Sequence, residues 1–509
     1  MPAKLFSCSI KGLDCELVTI EANVLNGISS FSIVGLGDTA VHESKERVFS
    51  AIKNNGFQFP SGKKIVNLAP AHLKKHGPSF DLAIAICLLK ASNQIEGKDF
   101  SDCLFIGELT LEGKVNGVKG VLPITDFARR KGFKKIFVPN INAIEAAQIE
   151  GIDVFPVMSL KDVCEDLNGS SKIVKFENNT DYFNNAEEKE FEFNIHEISG
   201  NEHAKKSLLI SASGGHNLIF TGSPGGGKTV LAKSISSILG NLDLSEALEV
   251  SKLYSISGLL PKDKPLIVKR PFRTVHHSAS MASVIGGGHY VLPGEISLAH
   301  RGVLFFDELL EFSSYILESL RQPLEDGEIF LSRASGKVVY PSKFIFIGAM
   351  NPCPCGYFGD LDKECICSEH QVIRYQNKLS GPFLDRIDLF VNIPKIKFEK
   401  LVSGNKEEGK LDYKELVEKA RNYQKDRFKN EGIKLNSEMS SAQVRKYCKT
   451  DKNSQKLLKD AMKNLHLSAR GYFRVLKVAR TIADLKQKEK INFQDIAEAL
   501  QYRNIEYQI

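Results

Sequence analysis

A glycine-rich segment near the middle of the chain has the residue types and spacing of a phosphate-binding loop. The apolar run 218–221 precedes it, and an amphipathic pattern typical of a helix follows it. Glycines let successive backbone N–H groups converge on phosphate oxygens. Lys228 can reach the β- and γ-phosphates of ATP, and the Thr229 hydroxyl can bind Mg²⁺. The loop consists of Gly222, Ser223, Pro224, Gly225, Gly226, Gly227, Lys228 and Thr229. The pattern therefore predicts an ATP site, and a chance glycine-rich turn is the weaker alternative.

Two acidic residues, Asp307 and Glu308, directly follow the apolar run 303–306, which is typical of a buried parallel strand. The carboxyl ends of parallel strands meet at one edge of a sheet, so we expect these acids beside the phosphate loop. Asp307 is predicted to hold Mg²⁺ through water, and Glu308 to act as general base for the attacking water. A merely structural acid pair is the alternative.

A third apolar run, 344–350, ends at Asn351. An amide beside the γ-phosphate can orient the attacking water without adding negative charge. Taken alone, Asn351 is equally well interpreted as a turn residue before Pro352. The order of the strands and the two earlier motifs favour the catalytic role.

Two arginines further along the chain have the chemistry to stabilise the charge of a transition state. Arg386 lies in a loop and short helix before an apolar strand, from where it could enter a neighbouring subunit's site as an arginine finger. Arg470 begins a predicted helix and suits a γ-phosphate sensor that links nucleotide state to the angle of a lid. A surface ion pair is the alternative for both residues.

The segment 330–340 predicts a β-hairpin with Ser335, Gly336 and Lys337 at its tip. A lysine at such a tip can hold a DNA phosphate without reading base sequence, and Arg333 lies in the same turn. The glycine-rich segment 286–293 is a second candidate DNA loop. A solvent-exposed turn is the alternative for each.

Four of the ten cysteines fall within fifteen residues, as two pairs that could close a tetrahedral Zn²⁺ site. They are Cys353, Cys355, Cys365 and Cys367. Such a metal would be structural, because four protein ligands leave no open position. Each pair has one intervening residue rather than the more usual two, which leaves free thiols as the alternative.

The helices and strands that position these residues belong to a chain of 509 residues. This length predicts about three domains. Apolar residues make up 42% and charged residues 25%, as in average globular proteins, which excludes disordered and collagen-like classes. The longest apolar run, 82–89, is too short to span a bilayer, and no secretory signal is visible. We therefore expect a cytoplasmic protein without a membrane partner.

The net charge of +7 is concentrated in the C-terminal part of the chain. Residues 1–170 sum to zero, 171–200 to −4, 201–395 to +1 and 396–509 to +10. The Asn- and Glu-rich acidic stretch predicts a solvated linker, and the basic end predicts a DNA-facing surface, for which a generally lysine-rich composition is the alternative. The predicted units are 1–170, a linker at 171–195, an ATPase core at 196–395 and a helical lid at 396–509.

Several of these segments together closely resemble the Mg-chelatase-like AAA+ family known as ComM or YifB. They include RPFRTVHH at 270–277, PGEISLAHRGVLFFDE at 293–308 and MNPCPCG at 350–356. The resemblance implies a homo-hexameric ring ATPase that uses ATP and Mg²⁺, with relatives acting as DNA branch-migration helicases during natural transformation. The implied roles are Walker A for Lys228 and Thr229, Walker B for Asp307 and Glu308, sensor 1 for Asn351, arginine finger for Arg386 and sensor 2 for Arg470.

Residues 1–170 resemble the Lon-protease-like domain of this family, an α+β fold shared with the Lon peptidase. Ser79 matches the neighbourhood of the peptidase nucleophile, but the place of its lysine falls on Leu122. A serine needs a base within hydrogen-bond reach, so we expect no peptidase activity unless the nearby Lys119 supplies that base. The domain is interpreted as a docking or DNA-guiding module.

The sequence thus predicts a multidomain α/β protein with a Lon-like α+β domain, an AAA+ core with a parallel sheet and a C-terminal helical lid. Its predicted function is that of an ATP-driven DNA translocase or branch-migration helicase. The alternatives are a motor for Mg²⁺ insertion into a porphyrin and an AAA+ protein remodeller.

Overall fold

The computed structural model describes residues 2–95, 100–177, 192–261, 263–288, 291–333, 336–360, 362–395, 412–464 and 467–503. Within these ranges, the helices are either too short or too polar to cross a membrane.

The described part of the N-terminal region is built from three small sheets and five α-helices. Its strands are β1 (Ala3–Lys11), β2 (Asp14–Leu25), β3 (Ser30–Val34), β4 (Lys63–Ala69), β5 (Cys103–Phe105), β6 (Glu108–Leu109), β7 (Val115–Asn116), β8 (Lys135–Pro139) and β9 (Asp153–Val157). Its helices are Thr39–Asn54, Asp81–Ala91, Val121–Arg130, Ala143–Ala146 and Leu160–Leu167. One sheet has the order β1-β2-β4-β3, a second is parallel with the order β5-β8-β9, and the third is the antiparallel pair β6-β7. The apolar run 82–89 forms the almost wholly buried helix Asp81–Ala91, which packs on β1 and β2.

The central region holds a five-stranded sheet. Its strands and hairpins are β10 (Leu218–Thr221), β11 (Phe272–Val275), β12 (Gly286–Gly287), β13 (Leu292–Pro293), β14 (Val303–Phe306), β15 (Glu328–Arg333), β16 (Gly336–Pro341), β17 (Ile345–Met350) and β18 (Leu389–Asn392). The sheet has the order β11-β14-β17-β10-β18 with every neighbouring pair parallel. The predicted α/β core with a parallel sheet is therefore confirmed, and the apolar runs form its strands because both faces are covered.

Helices surround this sheet and continue to the C-terminal end. Those of the central region are Glu202–Gly214, Lys228–Ser234, Leu244–Ser257, Met281–Ile285, Glu295–Leu298, Ser314–Ser319, Arg321–Asp326, Glu369–Gln376 and Gly381–Leu384. Those that follow are Tyr413–Arg427, Ser441–Tyr447, Lys452–Asn464, Ala469–Leu485 and Phe493–Gln501, so the predicted helical C-terminal region is confirmed.

The C-terminal helices share a hydrophobic core with the sheet. Leu208, Phe220, Val475 and Ile482 belong to one buried cluster, and the helix Ala469–Leu485 packs on the helix Glu202–Gly214. The lid is thus anchored by apolar contact to the strand that leads into the phosphate loop.

The N-terminal region also packs on the central region. Val121 and Leu266 lie in one buried cluster. Lys252 Nζ lies 2.7 Å from Asp126 Oδ2, and the backbone N–H of Gly120 donates to the carbonyl oxygen of Ser255 at 3.1 Å. The helix Leu244–Ser257 is therefore the main contact between the two regions.

The predicted domain boundaries stay predictions. Most of the predicted linker 171–195, namely 178–191, lies outside the described residues. The stretch 396–411, where the lid is predicted to begin, lies outside them as well.

Candidate nucleotide-binding and catalytic site

The predicted phosphate loop joins β10 to the helix Lys228–Ser234 at the carboxyl edge of the central sheet. Gly225 and Gly227 have φ angles of +82° and +81°, a left-handed conformation that glycine adopts without strain. A Cβ atom on Gly222 would lie 2.3 Å from the carbonyl oxygen of Ile393, closer than any side chain permits. The backbone path of the loop therefore requires glycine at these positions.

Lys228 lies at the centre of this edge. Its Nζ donates hydrogen bonds to the carbonyl oxygens of Gly222 at 2.7 Å and Ser223 at 3.0 Å, and to Asn351 Oδ1 at 3.1 Å. Burial lowers the pKa of Lys228, and the nearby Asp307 carboxylate opposes that shift. The structure thus brings Lys228 and Asn351 together, as the strand order predicts.

Thr229 and Asp307 form a second contact at the same edge. The Thr229 hydroxyl donates to Asp307 Oδ2 at 2.8 Å. A hydroxyl and a carboxylate are hard oxygen ligands of the kind that Mg²⁺ prefers. The donor set therefore fits a magnesium ion beside a phosphate held by Lys228.

Glu308, the second residue after β14, has a left-handed backbone (φ 51°), which is uncommon for a residue with a side chain. Its Oε2 lies 3.4 Å from Nδ1 of His277, and 58% of its side chain is exposed. Sequence reasoning did not assign His277 to the site. The sequence feature that could have identified His277 is its position just after β11, the strand beside β14 in the parallel sheet.

The two predicted arginines lie together, at the other end of the sheet. Arg386 and Arg470 both pair with the carboxylate of Glu325, Arg470 at 2.9 Å. The carbonyl oxygen of Arg386 accepts from the side chain of Asn217, the residue that precedes β10 at its amino end. The three charged residues line a cavity of about 550 Å³. The structure therefore brings both arginines together and separates them from Lys228.

The length of β10 sets the scale of this separation. Its four residues span about 13 Å at ~3.3 Å per residue, with the arginines beyond one end and Lys228 beyond the other. Arg386 and Arg470 therefore lie at the end of the sheet opposite the phosphate loop of their own chain.

The predicted hairpin is formed by β15 and β16, with Ser332 opposite Lys337. Lys337 is exposed, and on the same face lie Phe330 and Val339, which are 55% and 42% exposed. The side chain of Arg333 lies outside the described residues. Sequence reasoning missed Phe330, although strand alternation beside the buried Ile329 and Leu331 places it on the solvent face. Of the glycine-rich segment, 289 and 290 lie outside the described residues.

The four clustered cysteines converge. Their Sγ atoms all lie within 4.8 Å of one another, with Cys353 and Cys355 at 3.3 Å and Cys355 and Cys365 at 3.5 Å. The backbone N–H of Phe358 donates to Cys353 Sγ at 3.3 Å. Backbone N–H donors, the strongest on Tyr357, lower the pKa of Cys355 to about 6. Cys367 completes the set of four.

The N-terminal residues that resemble a peptidase site lie in separate local surroundings. Leu122 is fully buried in the helix Val121–Arg130. A Cβ atom on Gly258 would lie 2.6 Å from Lys119 Cε, so the Lys119 side chain lies against the end of the helix Leu244–Ser257. Lys119 is thus engaged at the contact with the central region. Ser79 accepts a backbone hydrogen bond from Gly107 through its carbonyl oxygen.

Comparison with known protein families gives three consecutive matches. Residues 20–142 match subunit ChlI of Mg-chelatase, residues 194–401 match magnesium chelatase, subunit ChlI, and residues 408–503 match its C-terminal part.

Similar proteins cover almost the whole chain. The competence protein ComM of Haemophilus influenzae is 40% identical over 505 residues, which is 98% of this chain and 97% of ComM. YifB of Escherichia coli, an uncharacterized protein, is 40% identical over 499 residues, 97% of this chain and 96% of YifB. Lon protease 1 of Hydrogenovibrio crunogenus is 28% identical over 160 residues, 29% of this chain and 19% of the protease.

Proposed function

This chain belongs to the ComM and YifB family of magnesium-chelatase-like AAA+ proteins, and we propose that it is an ATP-driven ring motor acting on DNA. Family membership implies ATPase activity. The specific activity that we propose is branch migration of recombining DNA during natural transformation. The observation that carries the proposal is the placement of phosphate-binding groups and arginines at opposite ends of one parallel sheet.

Each polar side chain at the carboxyl edge is assigned a role in one step of ATP hydrolysis. Lys228 and the loop N–H groups would bind the β- and γ-phosphates, and Thr229 and Asp307 would hold Mg²⁺, which neutralises phosphate charge. Asn351, hydrogen-bonded to Lys228, is placed to orient the attacking water. Glu308 would accept the proton of that water as it adds to the γ-phosphorus and ADP leaves.

The position of the two arginines supports assembly of several copies of the chain into a ring. Arg386 and Arg470 reach a phosphate only on another copy of the chain, because their own phosphate loop lies beyond the opposite end of β10. A head-to-tail contact that repeats by rotation closes into a ring, and a homo-hexamer is the ring that we propose. A neighbour's nucleotide would then compete with Glu325 for both guanidinium groups.

The hairpin β15–β16 is the DNA contact that we propose. Lys337 supplies a cation for a phosphate, with Arg333 in the same turn, and the exposed Phe330 supplies a ring on which any base can stack. Neither contact reads base sequence, which suits a motor that moves through arbitrary DNA.

Replacing Lys337 by alanine is expected to weaken DNA binding for all sequences alike. Loss of one phosphate contact lowers the slope of log affinity against log salt by about 1. The measurement is fluorescence anisotropy of labelled single-stranded DNA across a salt series. Lys264→Ala, at an exposed lysine elsewhere in the central region, is the control and should keep the wild-type slope. An unchanged slope in Lys337→Ala would remove the hairpin tip from the DNA contact.

A second candidate function is insertion of Mg²⁺ into a porphyrin. It is considered because the matching family models describe subunit ChlI of magnesium chelatase. The near full-length similarity to a competence protein and the partial similarity to a Lon protease favour the DNA motor. A protein remodeller is the third candidate, since the N-terminal region is Lon-like.

The rate of ATP hydrolysis with different additions separates these three functions. Purified protein is assayed alone, with single-stranded or four-way DNA, with an unfolded polypeptide and with a porphyrin. We expect DNA to raise the rate and the other additions to leave it unchanged. Stimulation by polypeptide or porphyrin, without stimulation by DNA, would replace the DNA motor with the corresponding alternative.

The four clustered cysteines are proposed to hold a structural Zn²⁺. With Zn–S bonds of about 2.3 Å, a tetrahedral site places its sulfurs roughly 3.8 Å apart, close to the separations among Cys353, Cys355, Cys365 and Cys367. Backbone N–H groups directed at Cys355 lower its pKa and stabilise its thiolate, the form that binds a metal, whereas burial raises the pKa of Cys365 and Cys367.

A further inference from the structure

The cysteine-bearing loop 352–368 lies between two parts of the catalytic edge. It begins directly after Asn351, whose side chain contacts Lys228, and it ends at the helix Glu369–Gln376. Gln376 Nε2, at the far end of that helix, donates to the carbonyl oxygen of Pro352 at 2.9 Å, so the start of the loop is tied to the helix that follows it. The loop is therefore fixed at its base to the residue that is placed to orient the attacking water.

The body of this loop packs on the phosphate loop. A Cβ atom on Gly356 would lie 2.6 Å from Cδ and Cγ of Pro224, so the backbone of Gly356 packs directly on the Pro224 ring. Gly356 also has a φ of +87°, which disfavours any other residue there. Gly356 follows Cys355 directly, so the position of that cysteine determines this contact.

Asp360 makes a second connection between the two loops. Its carboxylate accepts a hydrogen bond from Lys395 Nζ at 3.0 Å, in the segment after β18. It also lies close enough to the Ser223 side chain of the phosphate loop for that hydroxyl to help lower the pKa of Asp360. It also accepts the backbone N–H groups of Asp362 and Lys363 at 2.9 and 3.2 Å. The Asp360 side chain is only 4% exposed. One carboxylate thus joins the cysteine loop, the phosphate loop and an edge of the sheet.

Among the described residues of this loop, which leave out 361, the large apolar side chains are mostly exposed. Ile366, between the last two cysteines, is 88% exposed, and Phe358 is 40% exposed. Short segments of this composition order around a metal rather than around a hydrophobic core. The convergence of four sulfurs is therefore the feature that fixes Gly356 and Asp360 against the phosphate loop.

We propose that a Zn²⁺ bound by Cys353, Cys355, Cys365 and Cys367 controls the ATP site, by holding Gly356 and Asp360 against Pro224 and Ser223 of the phosphate loop. The metal is structural in its coordination but necessary for nucleotide affinity. Asp360 is a positioning residue in this arrangement, since it acts on the nucleotide only through Ser223. The inference rests on the proposed ATP site and the proposed zinc site.

Three variants of the full chain test the inference. Cys365→Ala/Cys367→Ala removes two ligands, Asp360→Ala keeps all four cysteines but removes the link to Ser223, and Cys448→Ala is the control at a buried thiol in the C-terminal region. Each protein is analysed for bound zinc by elemental analysis, for affinity by titration with a fluorescent ATP analogue, and for folding by thermal denaturation.

We expect wild type and Cys448→Ala to hold one zinc per chain with equal nucleotide affinity. The double cysteine variant should lose zinc. Asp360→Ala should keep it, and both should bind nucleotide about 10-fold more weakly, because the phosphate loop loses a neighbour that holds it in place and is less pre-organised for the phosphates. If the double cysteine variant fails to fold, the nucleotide affinity of Asp360→Ala alone tests the inference.

Two results would overturn the inference. The first is a purified wild-type chain that holds no zinc. The second is wild-type nucleotide affinity in a variant, either Asp360→Ala or the double cysteine variant folded without zinc. Both are distinguishable from failure of the proposed function, in which the zinc-loaded wild-type chain itself would not bind the ATP analogue.

Discussion

Replacing Glu308 by glutamine is expected to lower the rate of ATP hydrolysis by at least ~100-fold while ATP binding persists. Glutamine has nearly the same shape but cannot accept the proton of the attacking water. Lys228, Thr229 and Asp307, which are assigned to phosphate and Mg²⁺, are unchanged in this variant. Release of inorganic phosphate measures the first quantity, and titration with a fluorescent ATP analogue measures the second.

Glu311→Gln is the matched control. Glu311 lies three residues further along the same segment, and its carboxylate accepts a hydrogen bond from the Tyr375 hydroxyl at 3.0 Å. The same chemical change there should leave hydrolysis close to the wild-type rate. Wild-type turnover by Glu308→Gln would show that another group removes the proton.

Replacing Arg386 by alanine should have the largest effect among residues remote from the phosphate loop, about 1,000-fold or more on hydrolysis. The reason is that an arginine supplied by a neighbouring subunit stabilises charge only in the transition state. ATP binding to Arg386→Ala should therefore stay near wild type. Arg374→Ala, at an exposed arginine of the helix Glu369–Gln376, is the control and should remain active.

Mixing two inactive variants tests whether Arg386 acts between subunits. Lys228→Ala lacks a working phosphate loop but still carries Arg386, and Arg386→Ala has the opposite defect. Mixed rings contain interfaces at which an intact loop meets an intact arginine, so hydrolysis should reappear on mixing. If both variants form mixed rings and no activity returns, Arg386 does not complete a neighbour's site.

The carboxyl edge of the sheet was predictable because parallel strands that end in polar residues place them side by side. Three separate motifs therefore predicted that Lys228, Asp307 and Asn351 would lie together, and the hydrogen bonds of Lys228 and Thr229 agree with that placement. Their catalytic roles remain predictions.

Contacts between segments distant in the chain were not predictable from local pattern. Nothing in the spacing of Arg386 and Arg470 indicates that both would pair with Glu325, because that contact depends on how the lid packs on the sheet. The link between Asp360 and Ser223 likewise depends on the path of the cysteine loop. The same holds for Lys119, whose place against Gly258 follows from the docking of the N-terminal region.

Branch migration of a four-way DNA junction by the purified protein, with ATP and Mg²⁺, tests the central claim most directly. The assay follows conversion of the junction into two duplexes, with Glu308→Gln as the hydrolysis-deficient control. We predict conversion that requires ATP hydrolysis, occurs with unrelated arm sequences, and is absent with Glu308→Gln. An assembled wild-type ring that hydrolyses ATP and binds the junction but leaves it unconverted would contradict the account.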